Sequence, residues 1–139
     1  MKSQLIPIQK KLLKEEKKSN KIDDGDTKDL ILRHINSFIE NDLDAVLSDY
    51  TNESVLITQE MTYKGPDEIR GFFSSLVKHF PVQNSSFVLD TLVADGKLAF
   101  LVWHGKTPTI EVSFGTDTFI IDNRKIKQQT FAGQIKSLI

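Results

Sequence analysis

Three polar side chains, Asp117, His34 and His104, stand within apolar segments, where each could line a pocket or, for His104, equally face the surface or a dimer partner. Asp117 lies inside an apolar stretch, between Phe114 and Phe119. A carboxylate there must pair, take up a proton or reach water, because an isolated buried charge is costly. Burial raises a carboxyl pKa and fits it for giving or taking a proton near neutrality. An aspartate beside Gly115 could equally sit at a bulge or face solvent. His34 falls one helical turn from both Leu30 and Phe38 and so faces inward with them. A neutral imidazole can donate a hydrogen bond to an oxygen; a boundary histidine bonded to backbone is the alternative. His104 follows Trp103 and precedes Gly105, thirteen residues before Asp117. On a strand Trp103 and His104 point to opposite faces, so only one of them can line a pocket. A proton acceptor with donors that polarise an oxygen is the equipment for acid–base work on a small carbonyl compound.

Other chemistries lack their residues. There are no cysteines, which excludes disulfides, thiol catalysis and cysteine-ligated metal. The histidines at 34, 79 and 104 have no metal-ligand spacing, so no metal is expected. Neither a phosphate-binding glycine loop, a dinucleotide fingerprint nor a Gly-x-Ser-x-Gly elbow occurs, and no cofactor is expected. Aromatic residues do not interleave with basic ones on the predicted strands, which argues against nucleic acid. No apolar run approaches the roughly 20 residues of a membrane-spanning helix, and no secretory leader is recognised. A cytoplasmic protein without nucleic-acid or membrane partners is expected.

At 139 residues, with 39% apolar and 27% charged side chains, the chain suits one globular domain. Its net charge of −1 hides an asymmetry: residues 1–22 carry seven lysines and two glutamates, giving +5, and the remainder carries −6. Residues 1–25 read as a lysine-rich solvated tail with at most one short helix, and 26–139 as the domain.

The elements that must position the polar residues follow in order. Asp26 can cap a helix running through Asn41, with Leu30, Ile31, Ile35, Phe38 and Ile39 as its apolar stripe. Asp42 can cap a shorter helix carrying Leu43, Val46, Leu47 and Tyr50. Val55 to Thr58 reads as a short strand. Gly65-Pro66-Asp67-Glu68 opens a third helix that Pro81 stops, with Ile69, Phe72, Phe73, Leu76, Val77 and Phe80 along one side. Four long strands follow: Ser86 to Ala94, Leu98 to Lys106, Ile110 to Ile121 and Lys125 to Gly133. Turns at Asp95-Gly96, Thr107-Pro108 and Asp122-Asn123 separate them. This is an α+β pattern, with helices packed on one mainly antiparallel sheet.

The run from Glu40 through Asp42-Leu43-Asp44 to Tyr50, the strand at Val55-Leu56-Ile57, and Tyr63-Lys64-Gly65-Pro66-Asp67-Glu68-Ile69-Arg70-Gly71-Phe72-Phe73 carry a resemblance. Over residues 27–133 the chain resembles the nuclear transport factor 2-like superfamily, in particular its SnoaL-like group, relatives of ketosteroid isomerase and polyketide cyclases. The resemblance implies three helices on a strongly curved mixed sheet enclosing a conical apolar pocket. It also implies a homodimer through the outer sheet face; Leu98, Phe100, Val102 and His104 lie on one face of their strand and Ala99, Leu101 and Trp103 on the other, and either set could be the outer one.

The resemblance carries roles onto particular residues. Asp117 and Asp122 reproduce the spacing of the substrate-binding acid and turn acid of ketosteroid isomerase relatives. His34 takes the place of their oxyanion-binding tyrosine. His104 and Asp117 are spaced like the histidine and aspartate of SnoaL-like cyclases. The isomerase general base, however, aligns with Thr58, which cannot abstract a carbon-bound proton; Glu60 is the nearest substitute. An aspartate–arginine–aspartate relay of the limonene epoxide hydrolase type is not evident at Arg33, Arg70 or Arg124. The resulting expectation is a small apolar, carbonyl-containing ligand, with Asp117, His34 and His104 as acid–base groups. Phe38, Tyr50, Thr58, Glu60, Phe73 and Phe119 would surround it. A non-catalytic binding or association module is the competing expectation.

Overall fold

The computed structural model describes residues 23–139; the lysine-rich tail falls outside the described residues, apart from its last few positions. Among the described residues three helices precede most of the sheet: α1 (Asp24–Ile39), α2 (Leu43–Leu47) and α3 (Gly65–Lys78). The strands are β1 (Tyr50–Ile57), β2 (Thr62–Lys64), β3 (Ser86–Asp95), β4 (Leu98–Lys106), β5 (Ile110–Asp122) and β6 (Lys125–Ser137).

Asp23, rather than Asp26, caps α1, accepting the Asp26 amide at 2.8 Å. The helix therefore starts three residues earlier than the spacing of acids predicts. Its first turn is tied to the β3–β4 hairpin: Thr27 Oγ1 donates to the Gly96 carbonyl, and the Gly96 amide donates to Asp24 at 2.7 Å. Asp42 caps α2 as predicted, accepting from the Ala45 amide. Tyr50, predicted on that helix, instead begins β1, which is twice as long as the apolar run Val55 to Thr58. Gly65 opens α3 with φ 82°, a conformation open to glycine at little cost. Glu68 reaches back to accept the Lys64 amide at 2.9 Å.

The sheet runs β2-β1-β6-β5-β4-β3, with β1 and β6 parallel and every other pair antiparallel. Both tight hairpins lie one residue beyond their predicted positions. Asp95 pairs with Leu98, so the loop is Gly96-Lys97, and Asp122 pairs with Lys125, so the loop is Asn123-Arg124. Asn123 and Arg124 both take positive φ, 53° and 61°, the geometry whose twist matches a two-residue hairpin.

One face of the sheet receives the helices. Leu92, Ala99, Leu101, Trp103, Phe119 and Ile126 are buried there with Leu30, Ile31, Phe38, Ile69 and Phe73 of α1 and α3. The opposite face carries Val88, Val93, Leu98 and Phe100, each more than 40% exposed.

Candidate functional site

Asp117 stands on the helix-facing side of β5, between the register positions of Leu101 on β4 and Phe131 on β6. The two flanking strands reach it diagonally. Trp103 Nε1 donates to Oδ1 and Gln129 Nε2 donates to Oδ2, each at 2.9 Å. Gln129 accepts the Tyr50 hydroxyl proton at its Oε1. The Tyr50 oxygen lies 3.3 Å from His34 Nε2, and His34 Nδ1 lies 2.8 Å from Asp49 Oδ2. Asp49 Oδ1 accepts from Arg33 at 2.9 Å. A continuous polar chain thus runs Asp117–Gln129–Tyr50–His34–Asp49–Arg33, buried until it ends at Arg33, whose side chain is 56% exposed.

Burial raises the Asp117 carboxyl from 3.8 to about 6, against the hydrogen bonds from Gln129 and Trp103, which lower it. Burial likewise pushes Tyr50 well above its ordinary value, aided by the negative charges of Asp117 and Asp49. Burial would also raise Asp49, but the His34 hydrogen bond and charge, with those of Arg33, outweigh it and hold the carboxyl below its ordinary value.

Asp117, Gln129 and His34 are the polar residues lining a cavity otherwise walled by apolar and aromatic side chains. Phe38, Phe73, Leu101, Trp103 and Phe119 form its interior. Ile35, Phe72, Leu76, Phe87 and Phe131, all half-buried, form its rim. The cavity is narrow: water-sized molecules could place their centres in only about 60 Å³ of it.

Trp103 is its broadest wall. The indole stacks against Phe87 at 4.7 Å and Phe131 at 6.1 Å between ring centres. It lies over Gly115, its register partner on β5, where a β-carbon would come within 2.8 Å of the ring.

The structure gathers Asp117, His34, Phe38, Phe73 and Phe119 around this cavity, and places Tyr50 directly behind it. It does not bring the remaining predicted residues there. His104 points to the opposite sheet face, 48% exposed, and bonds Asp90 at 2.8 Å. Alternation along β4 gives the inner position to Trp103 instead. Thr58 ends the β1 ladder and organises the turn to β2, accepting the Glu60 and Met61 amides and donating to the Met61 carbonyl. Glu60 is exposed in that turn. Gln129, Asp49 and Arg33 are site residues that the sequence reading does not assign.

The same architecture occurs in solved structures. The enzyme SalBIII, epoxide hydrolase/cyclase-like and described for pyran ring formation in the polyether salinomycin, is 18% identical. Its TM-score is 0.68, over 80% of this chain and 95% of that one. A proposed SnoaL-like polyketide cyclase from Shewanella denitrificans is also 18% identical, with TM-score 0.62, over 78% of this chain and 90% of its own. A proposed ketosteroid isomerase from Kribbella flavida is 11% identical, with TM-score 0.66, over 80% and 79%. At these identities the likeness is one of fold, the α+β fold of the nuclear transport factor 2-like superfamily. No curated protein matches the chain by sequence. Residues 31–129, which run from inside α1 to Gln129 and so span the whole polar chain, match the SnoaL-like domain, and the chain belongs to that family.

Proposed function

We propose that the protein binds a small apolar molecule carrying a carbonyl group and that Asp117 moves a proton to or from it. The observation that carries this reading is the setting of Asp117: a buried carboxyl facing an aromatic cavity, each oxygen held by one N–H donor. Each oxygen keeps acceptor capacity beyond that bond. A carboxyl raised to about 6 is partly protonated near neutrality and can serve as base or acid. His34 lines the same cavity, but its two ring nitrogens are engaged by Asp49 and Tyr50, so it acts on a ligand through the polar chain behind Asp117. His104 and Thr58 have no part in this reading.

The apolar outer face supports a second element of it, a homodimer. Val88, Val93, Leu98 and Phe100 form a row of exposed apolar side chains on β3 and β4, the kind of surface that a second copy would cover.

The catalytic reading is tested by incubating the protein with a panel of small apolar ketones in heavy water and following loss of the α-proton signals by NMR. Exchange above the buffer rate for at least one ketone, lost in Asp117→Asn, is the expected result. No exchange, together with quenching of Trp103 fluorescence by the same compounds, would reduce the site to a binding pocket. Neither exchange nor quenching would end both.

A further inference from the structure

The polar chain behind the cavity has two self-consistent directions. Trp103 can only donate, so Asp117 Oδ1 is always an acceptor. With Asp117 ionised, Gln129 turns its amide nitrogen to Oδ2 and its carbonyl to Tyr50. Tyr50 has one proton and gives it to Gln129, so its oxygen accepts from His34 Nε2. His34 Nδ1 donates to Asp49, which Arg33 also holds. In this direction His34 carries both ring protons. In the other, a protonated Asp117 donates from Oδ2 to Gln129, whose amide has turned end over end. Gln129 then donates to the Tyr50 oxygen, Tyr50 donates to His34 Nε2, and His34 keeps only its Nδ1 proton. The two arrangements contain the same number of protons and the same number of hydrogen bonds.

We propose that Asp117 and His34 hold one proton in common through Gln129 and Tyr50, being charged together or neutral together. Gln129, Tyr50, His34 and Asp49 are then positioning residues that set the state in which Asp117 meets a ligand. The groups facing this pair are those already named. Asp49 and Arg33 stand on the His34 side and Tyr50 between, while Trp103, Phe119 and Phe131 surround Asp117 on the sheet and Phe73 faces His34 from α3. The use of the shared proton in catalysis rests on the proposed function; the sharing itself would hold equally in a pure binding site.

Asp117→Asn tests it sharply. Because Trp103 must donate, the carboxamide introduced by this substitution has to turn its oxygen to the indole and its nitrogen to Gln129, which reproduces the donor pattern of the protonated acid. The measurement is 15N NMR of the His34 ring at pH 7.5, with His79→Gln and His104→Gln assigning the signals. In the otherwise unaltered protein, His34 is expected to show two ring N–H groups; in Asp117→Asn the Nε2–H is expected to be lost. Tyr50→Phe removes the acceptor for Nε2–H without touching Asp117 and should lose the same signal. It decides the matter alone if Asp117→Asn does not fold. A single ring N–H in the unaltered protein beside an ionised Asp117, read from its carboxyl 13C shift, or two retained in either variant, would overturn the proposal. None of these readouts needs a substrate, so a failed ketone assay leaves them intact, and their failure leaves the ketone assay intact.

Discussion

Trp103 and Gly115 are register partners, and the indole of the first occupies the space that a side chain on the second would need. A β-carbon at position 115 would lie 2.8 Å from the ring. The chain holds one tryptophan, so the contact has a spectroscopic reporter. Gly115→Ala is expected to displace the indole and break its bond to Asp117, costing about 1–3 kcal/mol. The emission maximum of Trp103 should shift, and a urea melt should show the lost stability. An unchanged emission spectrum would mean that the ring is not held over Gly115.

Asp117 sets a pH dependence of definite sign. Its folded-state pKa is raised, so its contribution to stability is full below 3.8 and is lost as the pH rises through about 6. The shift corresponds to roughly 3 kcal/mol at most. Asp117→Asn has no charge to bury. It should match the parent near pH 4 and be more stable by up to about 3 kcal/mol at pH 8. Thermal melts at a series of pH values check this, and a gap that widens toward low pH would contradict it.

Asp49 behaves in the opposite sense. Its carboxyl is held low by His34 and Arg33, which outweigh its burial, so its contribution is present above 3.8 and is lost as the pH falls through the lowered folded value. Asp49→Ala leaves the buried His34 Nδ1 without its acceptor and should cost about 3 kcal/mol at pH 7. The deficit should shrink in acid. Denaturant melts at pH 7 and pH 3 measure both statements.

The proposed homodimer predicts that Phe100→Lys, on the outer face, sediments as a monomer where the parent sediments as a dimer, with Trp103 fluorescence unaltered because position 100 lies on the other side of the sheet. Sedimentation velocity of the two proteins reads the result. Equal sedimentation of the two would remove this face as the dimer contact.

His104 provides a control inside the same strand. His104→Ala should leave ketone exchange unchanged, and His34→Ala, which breaks the polar chain that positions Asp117, should reduce it by roughly tenfold to a hundredfold. A comparable loss in both would mean that the outer face takes part in the chemistry.

The helices, the strand order after Pro81 and the inward placement of His34 are legible in the sequence because each depends on local spacing, whereas the spacing leaves Asp117 between the core and solvent. Leu30, His34 and Phe38 share a helix face whatever surrounds them. Gln129 is hidden by a bulge. Ile121 pairs with Ile126 but Ile120 pairs with Gln128, so Lys127 is an extra residue. Counting by twos from Ile126 turns Gln128 inward; the bulge turns Gln129 inward instead. A second irregularity, between the Val112 and Gly115 positions opposite β4, likewise sets which residues face Trp103. Asp49 and Tyr50 follow a short helix at helical spacing, and their meeting with His34, 15 and 16 residues away, is decided only when β1 pairs with β6. Thr58 and Glu60 owe their expected role to likeness with a catalytic position, which the turn between β1 and β2 does not bring to the cavity.

The narrowness of the cavity bears on speed as well as fit. About 60 Å³ is open to the centres of water-sized molecules, so a ligand of more than a few heavy atoms fits only by displacing side chains, and Phe72, Phe87 and Phe131 are among the half-buried rings that border the cavity. Admission of such a ligand is expected to need those rings to swing aside. Entry and departure should both be slow compared with diffusion and should quicken steeply on warming, so that a compound is selected by how readily it passes the rim as much as by how well it rests beside Asp117.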